Sequence, residues 1–129
     1  MRDVLMDVYN ALIKNEVISS KCSGRIKFYN YPESGDTKKD FMIITPMDPP
    51  EDAIHGSNDN LGEIYFYQID VQSNDRTTPK LIQNEVKKEL RKLGFVKTSG
   101  GLDEYFEKTK KYVDARRYIA CIFKEGKEK

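Results

Sequence analysis

Glu63-Ile64-Tyr65-Phe66-Tyr67-Gln68-Ile69-Asp70-Val71-Gln72-Ser73 alternates more clearly than any other segment of the chain. Tyr65, Tyr67, Ile69 and Val71 fall on one side of an extended backbone. Gln68, Asp70 and Gln72 fall on the other, with Ile64 and Phe66 near its start. Successive strand side chains point to opposite faces, so this is a strand with one packed and one wet side. That is the signature of an antiparallel sheet covered on a single face.

Downstream, Thr78 reads as a helix N-cap with Pro79 at the first helical position. Ile82, Val86, Leu90 and Leu93 form a buried stripe; Lys87, Lys88, Arg91 and Lys92 load the last turns, and Gly94 supplies the stop. Phe95–Thr98 reads as a short strand and Ser99-Gly100-Gly101 as a turn. Glu104–Phe106 resumes extended structure, although Asp103–Lys111 suits a short helix equally well. Tyr112–Lys124 is the last strand, with Tyr118, Ala120 and Ile122 alternating against Ile119, Cys121 and Phe123. A polar tail, residues 125–129, is expected to fray.

Upstream, Phe41–Thr45 is a nearly continuous apolar run ended by Pro46, as a central strand would be. Between it and the first strand described lies Met47–Leu61, with Pro49-Pro50, Gly56 and four acidic residues, expected to be a mobile excursion. Arg25–Tyr31 alternates as a strand and is stopped by Pro32. Asp3–Lys14 carries Val4, Leu5, Val8, Leu12 and Ile13 on one helical stripe, and Ser19, Ser20, Ser23 and Gly24 mark a short connection. The expectation is one α+β domain over residues 1–129. Two helices pack on one face of a mainly antiparallel sheet of four to six strands, in the order α-β-β-β-α-β-β.

The 129 residues are 38% apolar and 33% charged, with eight Tyr, six Phe and no Trp. Charge is unevenly spread. Residues 1–32 hold five Lys/Arg and three Asp/Glu, 33–75 hold two and ten, and 76–129 hold fifteen and eight. One reading is a solvated surface whose signs segregate; the other is a subunit with an acidic and a basic face that attract head-to-tail. No apolar run near Met1–Tyr9 is long enough for export or membrane insertion, so Cys22 and Cys121 are expected as free thiols.

Chemistry has little to work with. There is no CxxC, and His55, the one histidine, stands in the polar excursion far from either Cys. Asp48, Glu51, Asp52 and Asp59 lack the spacing of a calcium loop. Glu85-Val86-Lys87 and Glu125-Gly126-Lys127 fall on a helix and a tail, where neither would hold Mg²⁺ beside a phosphate. The expectation is a protein without catalytic residues, metal or cofactor. Nucleic-acid binding is the rival: Lys108, Lys110, Lys111, Arg116 and Arg117 neighbour Tyr105, Tyr112 and Tyr118. Interleaved Asp103, Glu104, Glu107 and Asp114 dilute that field.

The run Gly94-Phe95-Val96-Lys97-Thr98-Ser99-Gly100-Gly101-Leu102-Asp103-Glu104-Tyr105, followed by Lys111-Tyr112-Val113-Asp114-Ala115-Arg116-Arg117-Tyr118, resembles small tail proteins of long-tailed phages of Gram-positive bacteria. The likeness is to the tail-terminator, or tail-completion and head–tail joining, group. These pair a Gly-aromatic helix exit with an acidic-aromatic segment and a last strand opening in Arg-Arg-Tyr. The upstream element order is similar too.

The resemblance implies a virion protein of the head-proximal tail, assembled in the bacterial host cytoplasm. It would form a ring, typically of six subunits, that stops tube polymerisation and docks the head connector, and it could be monomeric before assembly. Its partners would be itself, the major tail tube protein and the connector, with DNA passing through the lumen without specific binding. On this reading Asp103, Glu104, Tyr105, Tyr112, Arg116 and Tyr118 border the subunit interface. Asp48, Glu51, Asp52, His55 and Asp59 would face the tube, connector or lumen. Another neck or tube subunit, or a nucleic-acid-binding phage accessory protein, remains the alternative.

Overall fold

The computed structural model describes residues 3–52 and 62–123. The expected strand is there: β4 (Gly62–Ser73) runs up the middle of the sheet, antiparallel to β2 (Phe41–Pro46) on one side and β6 (Lys111–Phe123) on the other. Beyond β6 lies β5 (Val96–Phe106), and beyond β2 lies β1 (Ile26–Phe28), giving the order β1-β2-β4-β6-β5. A two-residue strand, β3 (Glu51–Asp52), also pairs with β4. The sheet is mixed, because β1 and β2 are parallel.

Three helices, not two, cover one face. They are α1 (Val4–Lys14), α2 (Glu16–Cys22) and α3 (Thr78–Lys92). The segment read as a connection forms α2, because Ile18 and Cys22, four residues apart, both sink fully into the core. Asn15 makes the joint: its side-chain oxygen caps α2 at Ile18 N (3.0 Å) and its amide donates to Glu85 and Glu89 of α3. One apolar cluster runs from Val8 and Leu12 through Met42, Ile44, Tyr67, Ile69 and Val71 to Ile82, Val86, Leu90, Phe95 and Tyr118.

Other boundaries moved for physical reasons. β1 ends at Phe28 because Tyr29 takes a left-handed backbone (φ 70°). The Gly100-Gly101 pair is a bulge inside β5, and the turn comes at residues 107–110 instead. Gly101 has φ +115°, and a Cβ there would lie 2.1 Å from the carbonyl oxygen of Ala115, so only glycine fits. The Met47–Leu61 excursion is tied down at Glu51–Asp52 by β3, while residues 53–61 and the tail 125–129 lie outside the described residues.

The cap of α3 also differs. Thr77 occupies the cap position without a side-chain cap bond, and the carboxylate of Asp75 takes the orphan donors. It accepts from Thr77 N (3.2 Å), Thr78 N (3.0 Å) and both threonine hydroxyls. These bonds, led by the Thr78 hydroxyl, hold the Asp75 carboxyl below the usual aspartate range.

At the centre, Gln83 of α3 is fully buried and fully used. Its amide donates to Ile69 O of β4 (2.9 Å) and Asp114 O of β6 (2.8 Å), and its oxygen accepts from the Tyr118 hydroxyl (3.0 Å). Gln83→Leu strands that hydroxyl in apolar surroundings and is expected to cost about 2–4 kcal/mol in urea unfolding. Tyr118→Phe should cost about 1 kcal/mol. Losses below about 0.5 kcal/mol for both would refute this account of the core. Asp75→Ala tests the cap through pH. A depressed folded pKa gives stability present above the unfolded value and lost as pH falls through the folded one. The melting-temperature gap to wild type should be full at neutral pH and close in acid; a gap unaltered by pH would contradict the assignment.

Candidate functional site

Two contact surfaces emerge, on different flanks. The first is built by the β5–β6 hairpin and the start of α3. Opposed residues in an antiparallel pair share a face, so the registers Asp103↔Asp114 and Tyr105↔Tyr112 put three of the candidate residues, together with Asp114, on the helix side. The two tyrosine rings meet at a centroid distance of 4.6 Å. Lys80 reaches out from the first turn of α3 to Asp103 (2.7 Å) and to Asp114 (3.0 Å), and Asp114 also accepts from Arg116 Nε (2.9 Å). The hydrogen bond that Lys80 donates to Asp103, with the one to Asp114, holds its ammonium above its ordinary range. The ladder joins α3, β5 and β6 through alternating charges. Asp114 is buried, and its two cations offset its desolvation.

Of the residues expected at an interface, Asp103, Glu104, Tyr105 and Tyr112 line one shallow crevice together with Arg76, Pro79 and Lys80. Arg116 is half-buried in the ladder beside it. Tyr118 does not belong there. It is completely buried beneath α3, where its hydroxyl serves Gln83 and its phenol pKa is pushed up to about 12 by burial. Lys80 and Asp114 went unrecognised as site residues, yet a signal existed. Asp114 shares the inward parity of Tyr118 and Ala120, and an inward carboxylate needs a cation.

The basic run does not make one patch. Lys111 is buried, its ammonium donating to Thr37 O and to Asn74 (2.8 Å), and burial lowers its pKa. Arg117 lies on the face of β6 opposite Arg116 and donates to Gln68 (3.0 Å).

The second surface is a groove of about 820 Å³ beside β1, β2 and β4. Tyr29, Tyr65 and Tyr67 with Pro46, Met47, Pro49 and Pro50 make its walls, and the N-terminus of α1 closes one end. Among the described residues its charged side chains are Asp3, Asp48 and Glu63, all acidic. Asp48, expected on a tube, connector or lumen loop, is thus part of this wall. Glu51 and Asp52 are exposed on β3, and His55 and Asp59 lie outside the described residues. The Tyr67 phenol is raised by burial first, then by neighbouring Tyr65 and Asp3. Among the described residues no three His, Cys, Asp or Glu side chains converge as metal ligands, and no helix is long and apolar enough to cross a membrane.

No protein-family model matches the sequence, and no curated protein matches it. A solved structure does share its architecture: a chain in the virion of the native gene transfer agent (GTA) particle, at a TM-score of 0.65 and 15% identity. The match covers 91% of this chain and 92% of that one. The likeness is one of fold.

The thiols give a check on accessibility. Cys22 is buried, with its pKa pushed up to about 12 by desolvation and then by Asp40, whereas Cys121 is exposed. A thiol reagent should modify Cys121 rapidly in the native protein and Cys22 only on unfolding. Equal rates at both would contradict the packing of α2.

Proposed function

We propose that this protein is a structural subunit of a phage-like virion, which caps the tail tube as a ring, ends tube polymerisation and joins the tail to the head connector. The observation that carries this reading is the fold shared, almost end to end, with a chain of a gene transfer agent virion. The C-terminal sequence resemblance to tail-terminator and head–tail joining proteins points the same way.

The surface supports assembly. β5 is a sheet edge of 11 residues, exposed along nearly its whole length. A long exposed edge is a template for pairing with another chain. On the helix-free face, Val96, Leu102, Phe106 and Phe123 are large apolar residues left between 36% and 60% exposed. Scattered apolar residues are ordinary on a surface, but a group on one uncovered sheet face marks a contact region.

Six subunits closing head-to-tail would use two different flanks of each copy, as a heterologous interface must. The hairpin flank with Asp103, Glu104, Tyr105 and Tyr112 would supply one side. The acidic residues Glu51 and Asp52 of β3 would face the tube, the connector or the lumen, where like charge keeps DNA from lodging. The dispersed basic run, with Lys111 buried, disfavours the nucleic-acid-binding reading.

Deleting the coding sequence from the particle-producing genome and imaging the products tests the function. Overlong tails or tails without heads are expected, restored by wild-type protein in trans. Virions of normal length and composition would end the reading.

A further inference from the structure

The tyrosine groove and the outer face of α3 complement each other. Along α3, Leu81, Asn84, Lys88 and Arg91 follow one another at three- and four-residue spacing, and all are exposed. Lys87 and Lys92 flank them; Glu85 and Glu89 bond Asn15 of the helix layer and also accept from Lys88 (3.1 Å) and Lys92 (3.4 Å), surface pairs worth little in water, so four cations stand against two carboxylates. The stripe is therefore cationic around one apolar residue, Leu81, which is 45% exposed.

The groove is its counterpart. It is walled by tyrosine and proline and rimmed by Asp3, Asp48 and Glu63, with no basic residue in its lining among the described residues. Aromatic faces and carboxylates together recognise lysine and arginine, the ring quadrupole and the anion both attracting the cation. Tyr29 is 63% exposed and sits at φ 70°, a conformation uncommon for an aromatic residue. Its own amide is fixed to Ile44 O (3.0 Å). Strain of this kind persists where the surrounding structure imposes it, and it gathers at binding surfaces.

We propose that this groove receives the α3 face of a second copy of the chain, with Lys88 and Arg91 against Asp48 and Glu63 and Leu81 against the tyrosine wall. The inference rests on the assembly reading above and names its contact. The two surfaces are distinct, since α3 lies over β4, β6 and β5 while the groove opens beside β1, β2 and β4. A contact between unlike patches propagates head-to-tail, and closes when the rotation permits.

A reciprocal charge swap in the particle-producing host tests it. One variant carries Asp48→Lys and Glu63→Lys; the other carries Lys88→Glu and Arg91→Glu. Circular dichroism of each purified variant checks that it is folded. In a strain lacking the gene, each variant alone sets like charge against like, and particle yield should fall about tenfold or more. Co-expression gives every groove a neighbouring helix of opposite sign, and yield should recover.

Full yield from either variant alone, or no recovery when folded variants are combined, would overturn the contact while leaving the assembly function intact. The second pattern would assign the groove to a basic segment of a different protein. A gene whose loss leaves particles normal would instead remove the assembly reading itself.

Discussion

The buried amide of Gln83 is the constraint on which the architecture turns. A helix lying on a sheet can slide along it if only apolar side chains meet, because hydrophobic burial has no direction. Gln83 removes that freedom by bonding carbonyls of β4 and β6 and the Tyr118 hydroxyl at once. With α3 so placed, Lys80 comes within reach of Asp103 and Asp114, and the outer stripe of α3 faces solvent in one orientation. At the other side Asn15 passes the registration on, bonding Glu85 and Glu89 and so locating α1 and α2. The groove inherits its end wall from that placement.

This arrangement shows where the unevenly spread charge of the sequence goes in the fold. Much of the positive charge in the second half is spent internally. Lys80 and Arg116 neutralise a buried carboxylate, and Lys111 fastens the 29–40 segment beneath the sheet. Exposed positive charge remains on α3 and at Arg76, Lys97, Lys108 and Lys110. Of the acidic middle of the chain, Asp48 and Glu63 lie on the groove rim and Glu51 and Asp52 on β3, on the opposite flank. Segregated signs in the sequence thus become separated surfaces in the fold.

The strand at the centre and the helix after it were legible because their periods are unambiguous: two for Tyr65 to Val71, and three to four for Ile82 to Leu93. The start of α3, read with Thr78 as its cap, was placed within a residue, though the capping group is Asp75, whose carboxylate reaches over Thr77 and Thr78. α2 was hidden by Ser19, Ser20, Ser23 and Gly24, all residues of turns, although Ile18 and Cys22 stood at helical spacing. The glycine pair at 100–101 signals a positive φ in either a turn or a bulge, and only the pairing with β6 decides between them. For the candidate site, the hairpin residues Asp103, Tyr105 and Tyr112 lie together on one flank because the β5–β6 register opposes them. The Lys80–Asp114 link spans 34 positions and has no local signature. Tyr118 was misplaced at an interface even though its alternation with Ala120 and Ile122 pointed inward. The groove depends on four segments converging, which no single stretch of sequence encodes.

The central claim is that side chains on two flanks of this protein are arranged to meet those of a neighbouring copy. Hydroxyl-radical footprinting of the free chain against the chain within assembled particles tests it most directly. Tyr29 in the groove and Leu81 on α3, both exposed in the isolated protein, should lose reactivity together on assembly. If both react in the particle as they do in the free chain, the flanks are bare surface and the account is wrong.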